Sequence, residues 1–169
     1  MRHLFSPWRM DYIQNYNRIQ GCAFCTELSR PDGIDNLIVV RAFYNFVILN
    51  RFPYTSGHLM VVPFIHLSTL DALDKDTRAE MMELVNQAIQ VLGGVYQPQG
   101  FNVGINMGEA AGAGITEHIH MHVVPRWSGD TNFMSSLSET RVVPESLEET
   151  YKRISEQWSK KQPPNAKSE

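Results

Sequence analysis

Long hydrophobic runs, cysteines and surplus positive charge are all scarce in this chain of 169 residues. No segment approaches the roughly 20 consecutive apolar residues that a membrane-spanning helix needs, and residues 1–21 contain no apolar stretch of signal-peptide length. The net charge of −3 provides no basic surplus for wrapping nucleic acid. These absences predict a cytoplasmic protein that binds neither membranes nor nucleic acid.

The two cysteines of the chain, Cys22 and Cys25, stand close together in GCAFC. In a reducing compartment this spacing favours metal or redox chemistry over a structural disulfide, and the absence of a preceding strand disfavours a thioredoxin-like pair. Two such thiolates are half of a tetrahedral zinc site, which His66 and His118 could complete. Two buried free thiols beside unrelated histidines are an equally good interpretation of the spacing.

The composition is otherwise that of an ordinary globular protein, with 43% hydrophobic and 20% charged residues. The length predicts a single domain over residues 1–160, made of an N-terminal extension (1–21), a core (22–127) and a C-terminal helix (about 144–160). The polar residues 161–169 are predicted to be disordered.

Four β-rich runs precede a fifth in the segment EHIHMHVVPRW, residues 117–127. The first two, Leu37–Val40 and Phe46–Leu49, predict a hairpin, while GHLMVVP (57–63) and FNVGINMG (101–108) have the bounds and patterning of strands. Closely spaced strands of this kind predict an antiparallel sheet in an α+β domain rather than a doubly wound parallel sheet.

Two helices are predicted around these strands. The first follows Asp74, a suitable N-cap, and is predicted to end at Gly93–Gly94; its apolar residues recur at helical spacing, at Met81, Leu84, Val85, Ala88, Ile89 and Leu92. The second lies beyond Pro144, where the same spacing relates Leu147, Tyr151, Ile154 and Trp158.

Half of the six histidines, namely His118, His120 and His122, occupy alternate positions of one short segment. A helix would turn the middle imidazole away from the other two, whereas a strand places all three on one face, about 6.6 Å apart in succession. The intervening apolar residues, Ile119 and Met121, suit the opposite, packed face. The pattern therefore predicts a strand with three imidazoles in a row.

Such a row could be solvated polar residues, a catalytic metal site, or catalytic groups. If His118 binds zinc, His120 and His122 remain for chemistry: a neutral imidazole is a good nucleophile toward phosphorus when a backbone carbonyl fixes its other nitrogen. His122 could then donate to the phosphate or the leaving oxygen. The glycine-rich loop 106–116 could bring backbone N–H groups to anionic oxygens, although a flexible turn is the alternative.

The motif His118-Ile-His120-Met-His122-Val-Val resembles the signature of the histidine triad (HIT) nucleotide-binding proteins. GHLMVVPFIH resembles that family's earlier strand and following histidine, VILNRFPYTSGH its nucleoside-binding hairpin, and CAFC the zinc-binding start of many bacterial members. SPWRMDYI and VVPRWSGDTNFM resemble the bacterial branch similar to diadenosine tetraphosphate phosphorylases and hydrolases. The resemblance implies a HIT-like fold with about five antiparallel strands, a long inserted helix and a C-terminal helix.

The resemblance also implies site residues. His120 would attack an α-phosphate to give a nucleotidyl-histidine intermediate, which water or inorganic phosphate releases, and His122 would assist at the phosphate. Asn50 would contact the ribose, and Asn106 with the backbone at Ala113 and Gly114 would hold phosphate.

The implied cofactor is a structural zinc ion on Cys22, Cys25, His66 and His118, with no organic cofactor. The implied partners are a small nucleotide substrate and a second copy of the chain, because two subunits of the family usually join their sheets.

The acceptor is left open by two departures from the family. Gly114 stands where many hydrolases of the family carry glutamine, and His122 stands where the fungal phosphorylases carry glutamine. The leading expectation is an enzyme that splits dinucleoside polyphosphates such as diadenosine tetraphosphate. The alternatives are a nucleoside phosphoramidate hydrolase, a zinc-stabilised nucleotide-binding sensor with little catalysis, and a catalytic metal site on the triad itself.

Overall fold

The fold is a five-stranded antiparallel sheet with one long helix inserted between its third and fourth strands. The computed structural model describes residues 21–130 and 145–161. In chain order the elements are α1 (Ala23–Leu28), β1 (Ile38–Arg41), β2 (Asn45–Leu49), β3 (Leu59–Pro63), α2 (Lys75–Tyr96), β4 (Gly100–Ile105), a 3₁₀ turn (Glu109–Ala111), β5 (Met121–Arg126) and α3 (Leu147–Lys161). The predicted α+β class, the antiparallel sheet, the long inserted helix and the C-terminal helix are confirmed.

The sheet has the strand order β1-β2-β3-β5-β4, and each neighbouring pair is antiparallel. β5, the last strand in sequence, therefore lies between β3 and β4. Its residue His122 is opposite Met60 of β3 on one side and Gly104 of β4 on the other. The histidine segment is thus held from both sides.

Helix α2 packs its apolar stripe on the sheet. Asp74 caps its start by accepting a hydrogen bond from the Thr77 N–H at 2.8 Å, as the sequence predicts. Its buried side chains include Met81, Leu84, Val85, Ala88 and Leu92. α2 contacts β2, β3 and β5, and α3 contacts both α2 and β1. The two helices consequently cover one face of the sheet.

The predicted end of α2 at Gly93–Gly94 is wrong, because the helix continues to Tyr96. Gln97 ends it in the left-handed conformation, and its N–H donates to the Gly93 carbonyl at 3.2 Å. A Cβ at Gly94 would lie 2.8 Å from Nε2 of Gln157 on α3. A larger residue at this position would therefore have to displace the end of the Gln157 side chain.

The predicted strand through all three histidines is also wrong in its start, because β5 begins at Met121. The N–H of Ile119 donates to the Leu67 carbonyl at 2.7 Å, so this part of the segment is bonded to the loop after β3 instead of a strand. β4 likewise ends at Ile105 instead of residue 108.

Several boundaries differ or lie outside the described residues. β3 begins at Leu59 rather than at residue 57, and helix α1 is not predicted. Most of the predicted N-terminal extension and the predicted disordered tail, except Gly21 and Lys161, lie outside the described residues, as does Pro144. In the part of the chain that the structure describes, no helix is both long and apolar enough to cross a bilayer.

Candidate functional site

Four potential metal ligands converge where α1 meets the ends of β3 and β5. α1 and its N-cap supply Cys25 and Cys22, the loop after β3 supplies His66, and the segment before β5 supplies His118. All four donor atoms lie within 4.8 Å of one another. His118 Nδ1 is 3.3 Å from Cys22 Sγ and 3.7 Å from Cys25 Sγ, and His66 Nδ1 is 3.3 Å from Cys25 Sγ. The cluster joins the N-terminal segment to the sheet.

These separations suit a tetrahedral metal ion. Zinc–sulfur and zinc–nitrogen bonds of usual length place neighbouring S and N ligands about 3.6 Å apart. His118 Nε2 must donate its proton to the Pro63 carbonyl at 2.9 Å, so Nδ1 turns its lone pair toward the thiols. Burial is the main cause that raises the pKa of Cys22 to about 11 in the metal-free protein, so metal binding would have to release its proton. The four residues could therefore hold a zinc-like ion.

His120 is the buried imidazole of the triad and is fixed in one tautomer. Its Nδ1 lies 2.9 Å from the carbonyl oxygen of His118, which can only accept, so Nδ1 carries the proton. The lone pair is then on Nε2. The ring is 4% exposed and packs against Phe24 at 5.0 Å between centroids, and burial lowers its pKa. A neutral imidazole with a defined free lone pair is suited to nucleophilic attack.

His122 is oriented by a fourth histidine, His58, which sequence reasoning missed. The backbone N–H of Tyr54 donates to His58 Nδ1 at 3.2 Å, and Asn50 Nδ2 lies 3.3 Å from the same atom. Both neighbours are donors, so the His58 proton is on Nε2, which lies 3.0 Å from His122 Nδ1. His122 therefore accepts on Nδ1, and its own proton is on Nε2.

A signal for His58 was present in the sequence. It is a titratable residue between Gly57 and the apolar strand LMVVP, a position where a packing role alone would favour an apolar side chain. Gly57 has φ +80°, and a Cβ there would lie 2.9 Å from both Leu92 Cδ2 and Tyr96 Cε2. The close packing of this turn on α2 fixes the backbone that carries His58.

The predicted nucleotide-contacting residues lie around these histidines. Asn50 is joined to His122 through His58, and its Oδ1 accepts from the Phe52 N–H at 2.9 Å. Asn106 lines a groove together with His122. The Ala113 N–H donates within its own loop, to the Gly108 carbonyl at 3.3 Å, while Gly114 lies in an exposed bend before His118. The structure thus brings Asn50 and Asn106 to the triad.

The groove has a volume of about 320 Å³ and lies on β4 and β5. Its floor comes from alternate residues that share one sheet face: His122, Val124 and Arg126 from β5, with Asn102 and Gly104 from β4. Because Val123, on the opposite face of β5, is fully buried, this groove is on the side of the sheet away from α2. His122 is therefore the member of the triad that lines this groove.

Comparison with known proteins gives a matching family model and several relatives. A "HIT domain" family model matches residues 33–129. An AP-4-A phosphorylase of Mycobacterium tuberculosis is 36% identical over 168 residues, which cover 95% of this chain and 86% of that protein. An adenosine 5′-monophosphoramidase of Schizosaccharomyces pombe is 26% identical over 105 residues, which cover 62% of this chain and 74% of that protein.

Solved structures also resemble this chain in fold. A zinc-bound histidine triad family protein from Mycobacterium smegmatis superposes with a TM-score of 0.66 and 27% identity, over 83% of this chain and 94% of that one. The matched region of the family model spans β1 to β5 and contains His58 and the whole triad. On its fold, its motif and these relatives, the chain belongs to the HIT domain family.

Proposed function

We propose that the protein splits dinucleoside polyphosphates such as diadenosine tetraphosphate at an α-phosphate, through a nucleotidyl intermediate on His120. The observation that carries the proposal is the bond from His120 Nδ1 to the His118 carbonyl, which leaves Nε2 as a nucleophile next to His122. The 36% identity to an AP-4-A phosphorylase supports the same class of substrate.

The proposed reaction has two displacements. His120 Nε2 attacks the α-phosphorus, the bond from phosphorus to the bridging oxygen breaks, and that oxygen leaves with the electron pair as an anion that accepts a hydrogen bond from His122 Nε2. Water, which loses a proton to the solvent, or an oxyanion of inorganic phosphate then attacks the phosphorus of the intermediate, and the phosphorus–nitrogen bond returns its electrons to His120 Nε2. The tautomers fixed by the His118 carbonyl and by His58 are those that both steps require.

We also propose contacts for the retained nucleotide: Asn50 to the ribose, and Asn106 with the backbone of Ala113 and Gly114 to phosphate. To contact phosphate, the Ala113 N–H would have to share or give up its present bond to the Gly108 carbonyl. The metal, for which we propose zinc on the two cysteines with His66 and His118, supplies a structural tie between α1 and the sheet, and no step passes through it.

Product analysis after incubation with diadenosine tetraphosphate, with and without inorganic phosphate, tests the proposal. ADP and ATP formed only with phosphate identify a phosphorylase, whereas AMP and ATP in either condition identify a hydrolase. Tight AMP binding without products from any candidate substrate would contradict the proposal and indicate a nucleotide-binding sensor.

A phosphoramidate hydrolase is the second candidate, favoured by the 26% identity to an adenosine 5′-monophosphoramidase. The same His120 attack would break a phosphorus–nitrogen bond to a small amine, with His122 protonating the leaving nitrogen. Competition between adenosine 5′-phosphoramidate and diadenosine tetraphosphate ranks the candidates by their kcat/KM.

His58 is a positioning residue in this scheme, because it holds the His122 tautomer. His58→Phe keeps a ring but removes the hydrogen bonds to Tyr54, Asn50 and His122, so we expect kcat for adenosine 5′-phosphoramidate, whose leaving amine needs a proton, to fall on the order of 10²-fold. Diadenosine tetraphosphate should lose much less, because its polyphosphate leaves as a stable anion. Steady-state kinetics on both substrates measures the difference.

Ser56→Ala is the matched control for His58→Phe. Ser56 lies in the same turn, is buried, and its hydroxyl has no hydrogen-bond partner within the described residues. This variant should retain wild-type rates on both substrates. An equal loss of rate on the two substrates in His58→Phe would indicate a merely structural role for His58.

We propose a homodimer that continues the sheet through β4. β4 is an edge strand, since among the described strands it pairs with β5 alone, and Val103 on it is 42% exposed. Sedimentation equilibrium should give twice the chain mass of 19.3 kDa, and Val103→Lys should shift the protein toward the monomer. A wild-type monomer at micromolar concentration would contradict this arrangement.

A further inference from the structure

The groove extends well beyond the reach of a single phosphoryl group bound at the triad. His122 and Arg126 mark its two ends on β5, and four residues of strand separate their Cα atoms by about 13 Å. Opposite His122, Gly104 offers no side chain, and a Cβ built there would have no atom within 4 Å. The groove is therefore open along its length.

Arg126 is held rigidly at the far end. Its Nε and Nη2 donate to the two oxygens of Asp130 at 2.5 and 2.8 Å, and Nη1 donates to Asn102 Oδ1 at 2.6 Å. These bonds use three of the five guanidinium N–H groups, so two remain to donate. Both side chains line the groove, and the Arg126 side chain is 43% exposed while that of Asp130 is 12% exposed, so the cation is the more accessible of the two groups. A planar fork of this kind is suited to phosphate oxygens.

The positions of the histidines indicate which half of the substrate would lie in the groove. In a displacement at phosphorus the leaving oxygen departs opposite the attacking atom. His120, the proposed nucleophile, does not line the groove, and neither does Asn50, the proposed ribose contact; His122, the proposed donor to the leaving oxygen, does, together with Asn106, the proposed contact to the scissile phosphate. The groove thus begins at the scissile phosphate and its leaving oxygen and runs away from the proposed ribose contact.

We infer that this groove binds the departing half of the dinucleotide and that Arg126 contacts its polyphosphate, which favours substrates with a long anionic leaving group. The inference rests on the proposed function, because it assigns a second subsite to the same reaction. A substrate with a small amine leaving group contacts only His122 and gains nothing from Arg126. The groove then determines which of the two candidate substrate classes is preferred, while the histidines act on both classes.

Arg126→Gln tests the subsite with two substrates. Because a charge-assisted hydrogen bond is lost, kcat/KM for diadenosine tetraphosphate should fall by roughly 10-fold or more, while kcat/KM for adenosine 5′-phosphoramidate stays within about 2-fold. Arg41→Gln is the matched control, since it also removes a two-oxygen pair with an aspartate, Asp32, but lies on β1 outside the groove. It should leave both values unchanged. Equal effects of Arg126→Gln on both substrates, or no effect on either, would overturn the inference.

Equilibrium binding separates failure of the subsite from failure of the proposed reaction. In titration calorimetry, Arg126→Gln should weaken the binding of ATP, the departing half, by a similar factor and leave the affinity for AMP unchanged. If the wild-type protein turns over neither substrate, the proposed function fails. The ATP and AMP titrations would still test whether the groove binds the departing half. Equal weakening of ATP and AMP would mean that the groove holds the retained half, and unchanged ATP binding would exclude Arg126 from any subsite. If Arg126→Gln does not fold, Arg126→Lys, which keeps the charge but not the fork, takes its place in the same measurements.

Discussion

Alanine at position 120 is expected to lower kcat for diadenosine tetraphosphate by at least about 10⁴-fold, because it removes the atom that forms the covalent intermediate. No other imidazole in the described chain combines burial, a proton fixed on Nδ1 by a carbonyl and a lone pair next to His122. Steady-state kinetics with radiolabelled substrate measures the loss. Rapid quenching should capture label on the wild-type protein as an acid-labile, base-stable phosphoramidate.

Two further variants make the result specific to the nucleophile. His120→Asn retains an N–H that can donate to the His118 carbonyl, so it should preserve the local backbone while losing activity to the same extent. Met121→Leu conserves side-chain volume at the adjacent, half-buried position and should retain turnover. Activity in His120→Ala or His120→Asn within 10² of wild type would contradict covalent catalysis by His120.

Serine at position 22 should abolish stoichiometric metal binding and lower the free energy of unfolding by at least about 3 kcal/mol, since binding energy at a structural metal site is folding energy. The six-residue helix α1 is too short to be stable alone, and its N-cap Cys22 makes no side-chain capping bond. The metal would thus be a main tie of α1 to the sheet. Elemental analysis and denaturant unfolding of the purified protein measure both effects.

Ser29→Ala is the matched control for Cys22→Ser. Ser29 follows the same helix, is exposed, and lies outside the cluster of potential ligands. It should bind metal and unfold like the wild-type protein. Wild-type protein that purifies folded without stoichiometric metal, and that gains no stability when zinc is added, would refute a structural metal site.

The sequence was sufficient to predict elements whose periodicity runs over many residues. The stripe of α2 and its cap at Asp74 are local patterns, and the structure has both. The end of α2 was not predictable from local preference, because the helix continues through Gly93 and Gly94 and ends at Gln97, a non-glycine residue in the left-handed conformation. Helix α1 was not predictable for a similar reason: at six residues it carries too little periodicity to be recognised.

The residue types of the candidate site could be predicted from the sequence better than the contacts between those residues. The four potential metal ligands follow from spacing and resemblance, and the structure brings their donor atoms together although Cys22 and His118 are 96 positions apart. His58 was missed because its partner, His122, is 64 positions away and reaches it only through the pairing of β3 with β5. Arg126 was missed because its role depends on the shape of a groove that no single segment encodes.

His118 serves both the metal cluster and the nucleophile, and this affects how losses of activity in variants of the protein are interpreted. The His118 residue presents its imidazole to the two thiols, and its own carbonyl oxygen fixes the proton of His120. A substitution at position 118 that shifts the main chain would disturb the metal cluster and the nucleophile together. An inactive His118 variant would therefore not show which of the two had been disrupted. Cys22 reaches the same cluster from a separate helix, which makes it the informative position for assigning the metal's contribution.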